Sequence, residues 1–300
     1  MLNERLITGV ESGKKFSIGR ALSRGSCGMV FPGTDGEIAV AIKVPYPIDD
    51  PMHHATLTQE ARLQAAIPYP SITSVVLFDT SNDFEPGIQV PFLVTPLAKT
   101  DLSTLTSQGP LPIHDALSLS IQIGSAIAYA NDQGMLHRDI RARNVLIQDV
   151  TPGHFRGELS DFGNAAYKND PGAYQPPTHA SRFPPEVFFG RYREQSEQWD
   201  WAEEVAYPSV VGSGPRNRPF IVSDSVPRHK YVFPSRQRIE SLVAPTAMTP
   251  LHGVLDEVAE RALSEQPTDR YPSMGELVFD LQEKSGKATE EQAKDRVILF

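Results

Sequence analysis

The stretch His137-Arg138-Asp139-Ile140-Arg141-Ala142-Arg143-Asn144 places an acid, several cations and a carboxamide close together in the chain. The pattern of apolar residues before it predicts a buried helix over residues 113–133, and the apolar run Val145-Leu146-Ile147 after it predicts a short strand. Asp139 therefore lies on a loop held between two core elements, where it can orient a hydroxyl group. Asn144 can bind a metal ion through its amide oxygen.

A second acidic motif, Asp161-Phe162-Gly163, follows at a predicted strand-to-turn junction. Asp139, Asn144 and Asp161, in that order, match the protein-kinase pattern of a catalytic Asp, a metal-binding Asn and a metal-binding Asp. On these residues the chain resembles a eukaryotic-type protein kinase over residues 16–283. The resemblance implies an α+β fold with two lobes, in which a small five-stranded antiparallel sheet with one helix precedes a mainly helical large lobe.

The same resemblance divides the chain into segments. Residues 1–15 are predicted to be a flexible N-terminal extension, residues 16–285 the kinase domain, and residues 286–300 a charged tail. Within the domain, residues 16–96 form the small lobe and residues 97–285 the large lobe. Periodicity and turn residues predict strands at 16–22, 71–78 and 88–95 and helices at 52–67, 251–266 and 271–284.

Composition restricts the class of protein. The 300 residues carry a net charge of −9, which argues against a nucleic-acid partner, because phosphate contacts require clustered Lys and Arg. The single cysteine, Cys27, excludes an internal disulfide and a cysteine-based zinc site. No stretch has the apolar length of a membrane span, and residues 1–15 lack the apolar core of a signal peptide. We therefore expect a soluble cytoplasmic protein without a membrane partner.

The predicted strand Val40-Ala41-Ile42-Lys43 reproduces a further kinase motif. By resemblance, Lys43 holds the α- and β-phosphates of ATP. Glu60, midway along the predicted helix 52–67, is its expected partner, because a buried ammonium group needs an acceptor. Gln64 departs from the family pattern, which places an apolar residue there.

Residues 23–28 resemble the glycine-rich loop whose backbone N–H groups cover phosphates, with Ser23 in place of the first glycine. Cys27 lies at the tip of this turn, either as a thiol exposed above the phosphates or as a bystander. The resemblance assigns nucleotide contacts to Leu22, Gly25, Gly28, Val30, Ala41, Lys43, Glu60, Thr95, Leu97, Asp101, Leu146 and Asp161.

Thr95-Pro96-Leu97 resembles the hinge between the lobes, so the Thr95 carbonyl and the Leu97 N–H are predicted to bind adenine. Asp101 is predicted to accept a ribose hydroxyl or to act as a plain helix N-cap, and both roles are compatible. By resemblance, Mg²⁺ binds Asn144 and Asp161, and the catalytic residues are Asp139, Lys43, Asn144 and Arg141.

The polar, proline-rich segment 161–186 is predicted to be a phosphorylation switch. Arg138 is the expected partner of a phosphate on this segment, first at Thr178 and second at Ser181. The alternative is an ion pair of Arg138 with a nearby carboxylate such as Asp170.

The resemblance is weakest over residues 197–214. Either Glu197 or Asp200 could be the acid that ties down the catalytic loop, and Pro208 is expected to end this helix early. Residues 212–249, rich in Pro, Arg and Ser, are predicted to form an irregular insertion.

The first functional hypothesis is an ATP-dependent protein kinase, and two alternatives are a pseudokinase scaffold and a small-molecule phosphotransferase. Arg138 and an expected pair between Glu186 and Arg270 favour a protein substrate. Serine or threonine is the expected acceptor, although the run Arg141-Ala142-Arg143-Asn144 is closer to tyrosine-kinase loops.

Overall fold

The structure, a computed structural model, describes residues 5–24, 28–175, 184–188, 190–212 and 248–298, and has a sheet-rich part followed by a mainly helical part. The sheet-rich part consists of β1 (Arg5–Thr8), β2 (Lys15–Ile18), β3 (Ser23–Arg24), β4 (Gly28–Thr34), β5 (Ala39–Pro45), α1 (Pro51–Ala65), β6 (Leu77–Glu85) and β7 (Ile88–Pro96). The helical part contains β8 (Thr100–Asp101), α2 (Leu102–Ser107), α3 (Ile113–Asp132), β9 (Met135–Leu136), β10 (Val145–Asp149), β11 (Arg156–Leu159), β12 (Ala166–Tyr167), α4 (Pro185–Phe188), α5 (Glu194–Trp201), α6 (Tyr207–Val211), α7 (Pro250–Ala262) and α8 (Met274–Ile298).

Antiparallel pairing sets the strand order β1-β2-β4-β5-β7-β6, with β3 paired to β4. In β5, Val40, Ile42 and Val44 are fully buried in a core with Phe92, because alternate residues of a strand point to the same side. Burial of each such side chain contributes roughly 1.5–3 kcal/mol. Lys43 consequently lies on the opposite face of β5, toward α1.

The long helix α3 lies at the centre of the helical part. Leu119, Ile123 and Ile127 are fully buried at helical spacing in one core with residues of α5, α7 and α8. Trp201 of α5 adds a hydrogen bond from its indole Nε1 to the Ser120 carbonyl at 2.9 Å. This packing holds α3, which is followed by β9 and then by the loop with Asp139.

The predicted fold class is confirmed, but the sheet has seven strands instead of five. Residues 5–8, expected to be flexible, form β1, which pairs with β2 and buries Ile7 completely. The predicted strand 16–22 is shorter in the structure, because β2 ends at Ile18 and the next strand, β3, begins only at Ser23. A four-residue strand with one buried side chain carries too little alternation to be recognised from sequence.

Several predicted boundaries also differ. The strand predicted at 71–78 begins only at Leu77, and α1 ends at Ala65. α7 ends at Ala262, before a turn that opens with Pro267. α8 continues to Ile298, so most of the predicted tail 286–300 is helical.

Pro208 does not end the central helix as predicted. α5 continues through a π-helical turn, Ala202–Ala206, into α6, which ends before Gly212 at φ 80°. Pro208 comes two residues after the π-helical turn, where the hydrogen-bond pattern of the helix is already irregular and a missing N–H group is accommodated.

Gly25, Cys27, Thr178 and Ser181 lie outside the described residues, as does most of the predicted insertion 212–249. Among the described helices, none has the length and hydropathy required to cross a membrane.

Candidate active site

The Lys43 ammonium group lies between two carboxylates. Its Nζ is 2.7 and 2.8 Å from the Glu60 oxygens and 2.9 Å from Asp161 Oδ1. The Glu60 side chain is 4% exposed, whereas the Asp161 side chain is 42% exposed. The ion pair expected between Lys43 and Glu60 is present, and Asp161 joins it with one carboxylate edge open to solvent.

Lys43 and the two carboxylates shift one another's pKa values, and burial raises the pKa of Glu60 to about 7 although the charge of Lys43 opposes this rise. Burial alone would lower the pKa of Lys43, but the charges of Asp161 and Glu60 raise this pKa above its ordinary value. Burial also opposes ionisation of Asp161, yet Lys43 holds the pKa of Asp161 below its ordinary value. An ammonium group and an exposed carboxylate are therefore both charged at neutral pH, which suits the binding of a phosphate together with a hard metal ion.

The local structure of α1 directs Glu60 at Lys43. Asp50 caps the helix by accepting the Met52 N–H at 2.8 Å, and Pro51 begins the first turn. Ala61, next to Glu60, is buried against Leu93 of β7 in a small apolar cluster. The helix thus packs on the sheet with its acidic residue facing the lysine.

Asp139 is held by three polar side chains. Asn144 Nδ2 donates to the Asp139 carbonyl at 2.8 Å and to Oδ2 at 3.3 Å, and Asn164 Nδ2 donates to Oδ2 at 3.4 Å. Arg141 forms an ion pair with Oδ1. Because the Asn144 amide nitrogen is used by Asp139, the amide oxygen remains for a metal ion.

Glu197, not Asp200, ties down this loop. The Glu197 carboxylate accepts the N–H groups of His137 at 2.5 Å and Arg138 at 2.9 Å, and the Asn131 amide at 2.7 Å. Asp200 instead accepts the Tyr192 hydroxyl at 3.1 Å. Burial raises the pKa of Glu197 to about 7, against three hydrogen bonds that favour its carboxylate.

The loop backbone adopts two uncommon conformations. Arg138 and Asp161 have φ values of 68° and 63°, in the left-handed region that non-glycine residues rarely enter. Each such residue costs on the order of 1 kcal/mol or more, so the surrounding structure must hold it in place. His137 contributes by packing edge-on against Phe162, with ring centroids 4.6 Å apart, and its imidazole interacts with the Ser160 carbonyl at 3.0 Å. Burial lowers the pKa of His137, which agrees with a packing role for a neutral ring.

The two backbone groups predicted to bind adenine, the Leu97 N–H and the Thr95 carbonyl, face β5 in the structure. The Leu97 N–H, expected to bind adenine, donates to the Ala39 carbonyl at 3.3 Å and continues the β5–β7 ladder. Thr95 pairs with Ala41, so its carbonyl also faces β5, since alternate residues direct their polar groups to the same neighbour. Sheet hydrogen bonds thus occupy both predicted adenine partners, which corrects their assignment.

The next backbone groups point away from β5. Val94 offers its carbonyl to the Val76 N–H at 2.9 Å on the other side of β7, and the Pro96 carbonyl faces the same way. The Ala98 N–H makes no hydrogen bond within the described ranges. After this point, Lys99 N–H donates to the Ile147 carbonyl at 3.0 Å, which brings β10 close to the hinge.

The other residues predicted to contact the nucleotide lie on β4, β5, β8 and β10 or directly before β3. Val30 lies directly opposite Lys43 in the ladder and therefore shares a sheet face with Lys43 and Ala41. Leu146 pairs with Asp101 across β10 and β8. Asp101 caps α2 by accepting the Thr104 N–H at 2.9 Å, so the N-cap role is present. Gly28 has no room for a side chain, because an added Cβ would lie 2.8 Å from the Val44 carbonyl; Leu22 is 59% exposed.

The segment after Asp161 reaches Arg138 before the described residues end. Arg138 Nη2 donates to the Gln175 carbonyl at 2.6 Å, and its buried Nε has no partner in the described parts of the chain. Asp170, the predicted alternative partner, accepts the Gly172 N–H at 2.8 Å instead. Within the described residues, Arg138 therefore has no carboxylate in an ion pair.

The pair predicted between Glu186 and Arg270 is present. Two nearly parallel hydrogen bonds of 2.7 and 2.9 Å join the two side chains, and both residues are buried. Arg270 also donates to the carbonyls of Ser264 and Gln195, each at 2.9 Å. This pair fixes the end of the 161–186 segment to the helical part.

Sequence reasoning did not single out Asn164, whose amide contacts Asp139, or the backbone groups of Pro96 and Ala98 beside the β5–β7 ladder. Asn164 directly follows the Asp-Phe-Gly motif, and a polar residue at that position was the available signal. The two hinge residues could not be assigned without the β5–β7 register, which a run of apolar residues does not define.

Comparisons with known proteins agree with this geometry. The family model described as protein tyrosine and serine/threonine kinase matches residues 16–202. A probable serine/threonine-protein kinase of Corynebacterium efficiens is 27% identical over 94% of this chain and 43% of its own length. Serine/threonine-protein kinase PknD of Mycobacterium tuberculosis is 27% identical over 87% of this chain and 38% of its own length. The chain thus spans less than half the length of these curated relatives.

Solved structures show the same fold. The crystal structure of the Mycobacterium tuberculosis PknI kinase domain matches with a TM-score of 0.62 at 22% identity, covering 95% of this chain and all of that domain. The family match covers more than half of the chain and includes Lys43, Glu60, Asp139, Asn144 and Asp161. This chain belongs to the protein tyrosine and serine/threonine kinase family.

Proposed function

We propose that this chain is a protein kinase that transfers the γ-phosphoryl group of Mg-ATP to a serine or threonine hydroxyl of a protein. The observation that carries the proposal is the placement of Lys43 between Glu60 and Asp161, with bonds of 2.7 to 2.9 Å. In kinases this arrangement orients phosphates and metal ions for transfer.

The nucleotide fits the groups that the cleft offers. Lys43 donates to phosphate oxygens, and Gly28, whose Cα lies against the Lys43 side chain and the Val44 carbonyl, leaves this side of β4 without a side chain. The Pro96 carbonyl and the Ala98 N–H hold the adenine edge, since the neighbouring groups are used by the sheet. Ala41 and Leu146 pack on the two faces of the base.

Asp161 and the amide oxygen of Asn144 would hold Mg²⁺, which prefers oxygen ligands and would supply positive charge to the transferred phosphate. Asp139 accepts the proton of the substrate hydroxyl, because it stands beside Asn144 on the same loop. Arg141, paired with Asp139, helps to direct that carboxylate.

A protein hydroxyl is the acceptor that the comparisons favour. The matching relatives from Corynebacterium and Mycobacterium carry the description serine/threonine-protein kinase. The Glu186–Arg270 pair anchors the segment on which kinases place protein substrates, which weighs against a small-molecule phosphotransferase. The cytoplasmic location and the absence of a nucleic-acid partner remain predictions from the sequence.

Phosphoryl transfer from radiolabelled ATP to a generic protein substrate tests the proposal. Asp139→Asn should retain Mg-ATP binding and lose transfer by orders of magnitude, because the carboxamide cannot accept the proton. Asp149→Asn, which changes a carboxylate at the end of β10, is the matched control and should transfer normally. Transfer by Asp139→Asn at the wild-type rate would contradict the mechanism, and Mg-independent nucleotide binding without transfer would identify a pseudokinase.

A further inference from the structure

Gln64 is a buried amide on the face of α1 that carries Glu60. It lies four residues after Glu60, one helical turn along the same face, and is 3% exposed. Its Nε2 donates to the Thr73 carbonyl at 2.6 Å, in a fully buried hydrogen bond. An apolar side chain at this position could pack but could not satisfy that carbonyl.

The acceptor belongs to a segment that is tied to the strand before Asp161. Thr73 donates its N–H to the Leu159 carbonyl at 3.0 Å, and Leu159 donates its N–H to the Ser71 carbonyl at 2.8 Å. Leu159 is the last residue of β11 and precedes Asp161 by two positions. Backbone hydrogen bonds therefore connect the segment to the helical part, and Gln64 connects α1 to the segment.

The apolar packing of α1 is limited. Leu57 and Ala61 form a small cluster with Leu93, and Leu63 joins the core of the helical part. Apolar contacts are not directional, so a helix with few of them can slide or tilt at small cost. A buried hydrogen bond has a defined length and direction, and here it sets the position of the helix along the Thr73 carbonyl.

We propose that Gln64 is a positioning residue that holds α1 where Glu60 meets Lys43. The inference rests on the proposed kinase activity, because it concerns the placement of the lysine that binds phosphate. When α1 moves away from Asp161, the buried Thr73 carbonyl loses its donor, and an unsatisfied buried carbonyl disfavours that state. The Gln64 amide thus supplies a directional hydrogen bond at a position where the family pattern has an apolar residue. This bond connects α1, through the Thr73 segment, to the strand before Asp161.

The first test is a double-mutant cycle with phosphoryl transfer as the readout. Gln64→Met keeps the length of the side chain and removes the donor. We expect kcat/KM for transfer to fall roughly tenfold, the effect typical of one buried hydrogen bond whose acceptor stays unsatisfied. In a Glu60→Ala background the same change should have little further effect, because Gln64 acts through Glu60. Fully additive losses would overturn the proposal.

Gln122→Met is the matched control for the cycle. Gln122, on α3, donates from Nε2 to the Phe155 carbonyl and to Ser118 Oγ and accepts the Gly157 N–H, each at 2.9 Å. The variant therefore removes side-chain amide hydrogen bonds from a helix other than α1. It should lose some thermal stability and retain kcat/KM. Equal losses of activity in Gln64→Met and Gln122→Met would reduce the role of Gln64 to general stability and overturn the proposal.

The second test requires no catalysis. Hydrogen–deuterium exchange of the nucleotide-free chain should become faster in α1, residues 51–65, in Gln64→Met and remain unchanged in α3. Unchanged exchange in α1 would overturn the positioning role. If the wild-type chain transfers no phosphoryl group while exchange in α1 responds as expected, the proposed function fails and the positioning role stands.

Discussion

Replacement of Arg270 by alanine should destabilise the helical part strongly. The Arg270 guanidinium is fully buried and makes two hydrogen bonds to Glu186, at 2.7 and 2.9 Å, and two to backbone carbonyls, each at 2.9 Å. The Trp199 ring lies 5.1 Å from it. Glu186 keeps one further donor, the Ser196 hydroxyl at 2.7 Å. Arg270→Ala therefore leaves a buried carboxylate with a single partner.

The expected loss follows from that uncompensated charge. Breaking a buried ion pair by removing one partner costs about 3–5 kcal/mol in the free energy of unfolding. For domains of comparable size, each kcal/mol shifts Tm by roughly 2–4 °C, so we expect a fall of about 10 °C. Urea unfolding and differential scanning calorimetry measure the two quantities.

Two further variants separate the buried charge from general packing. Arg261→Ala removes a more exposed arginine stacked 4.1 Å from the Tyr271 ring and should cost about 1 kcal/mol or less. Replacing both partners, Glu186→Leu with Arg270→Met, should recover part of the loss, because no unpaired charge remains. A loss below about 1 kcal/mol for Arg270→Ala would refute this reasoning.

Three other outcomes are expected. Burial raises the pKa of Glu197 from 4.5 to about 7. Between these two pH values the folded chain binds more protons than the unfolded chain. The free energy of unfolding should therefore fall as pH rises from 4.5 to 7 and then level off. Urea titrations should show a smaller fall in Glu197→Gln than in the wild type, because burial also raises the pKa values of Glu60 and Asp200, which remain in the variant. Ala98→Pro removes the N–H proposed to bind adenine and should weaken ATP binding about tenfold in calorimetric titration, whereas Leu97→Ala, which keeps its backbone N–H, should not. Incubation with Mg-ATP followed by mass spectrometry should place phosphate at Thr178 or Ser181; unmodified protein with full activity would contradict the predicted switch at Arg138.

The motifs could be interpreted from sequence because their chemistry depends on residues that are near in the chain. Asp139 and Asn144 are five positions apart on one loop, and the structure joins them directly with a bond of 2.8 Å. The Glu60–Lys43 pair was also predicted, because the resemblance assigned Lys43 a role and a buried ammonium group needs an acceptor, which Glu60 in the next helix can supply.

Features that depend on register or on distant partners were decided by the tertiary structure. Glu197 and Asp200 are three residues apart on one helix, and only the packing of α5 under the loop shows that Glu197 accepts the His137 and Arg138 N–H groups. The backbone groups of residues 95–98 could be assigned only from the β5–β7 register. A shift of one residue in this register would exchange the N–H and C=O groups that bond to β5 with those that point away from it.

The sequence by itself therefore determined the fold class and the identity of the charged groups, because periodicity and motif spacing are local properties of the chain. The tertiary structure decided which backbone groups remain free for a nucleotide and what Gln64 contacts. A buried amide has no sequence pattern that names its acceptor, and Thr73 became its partner only when residues 71–73 paired with Leu159 instead of extending β6.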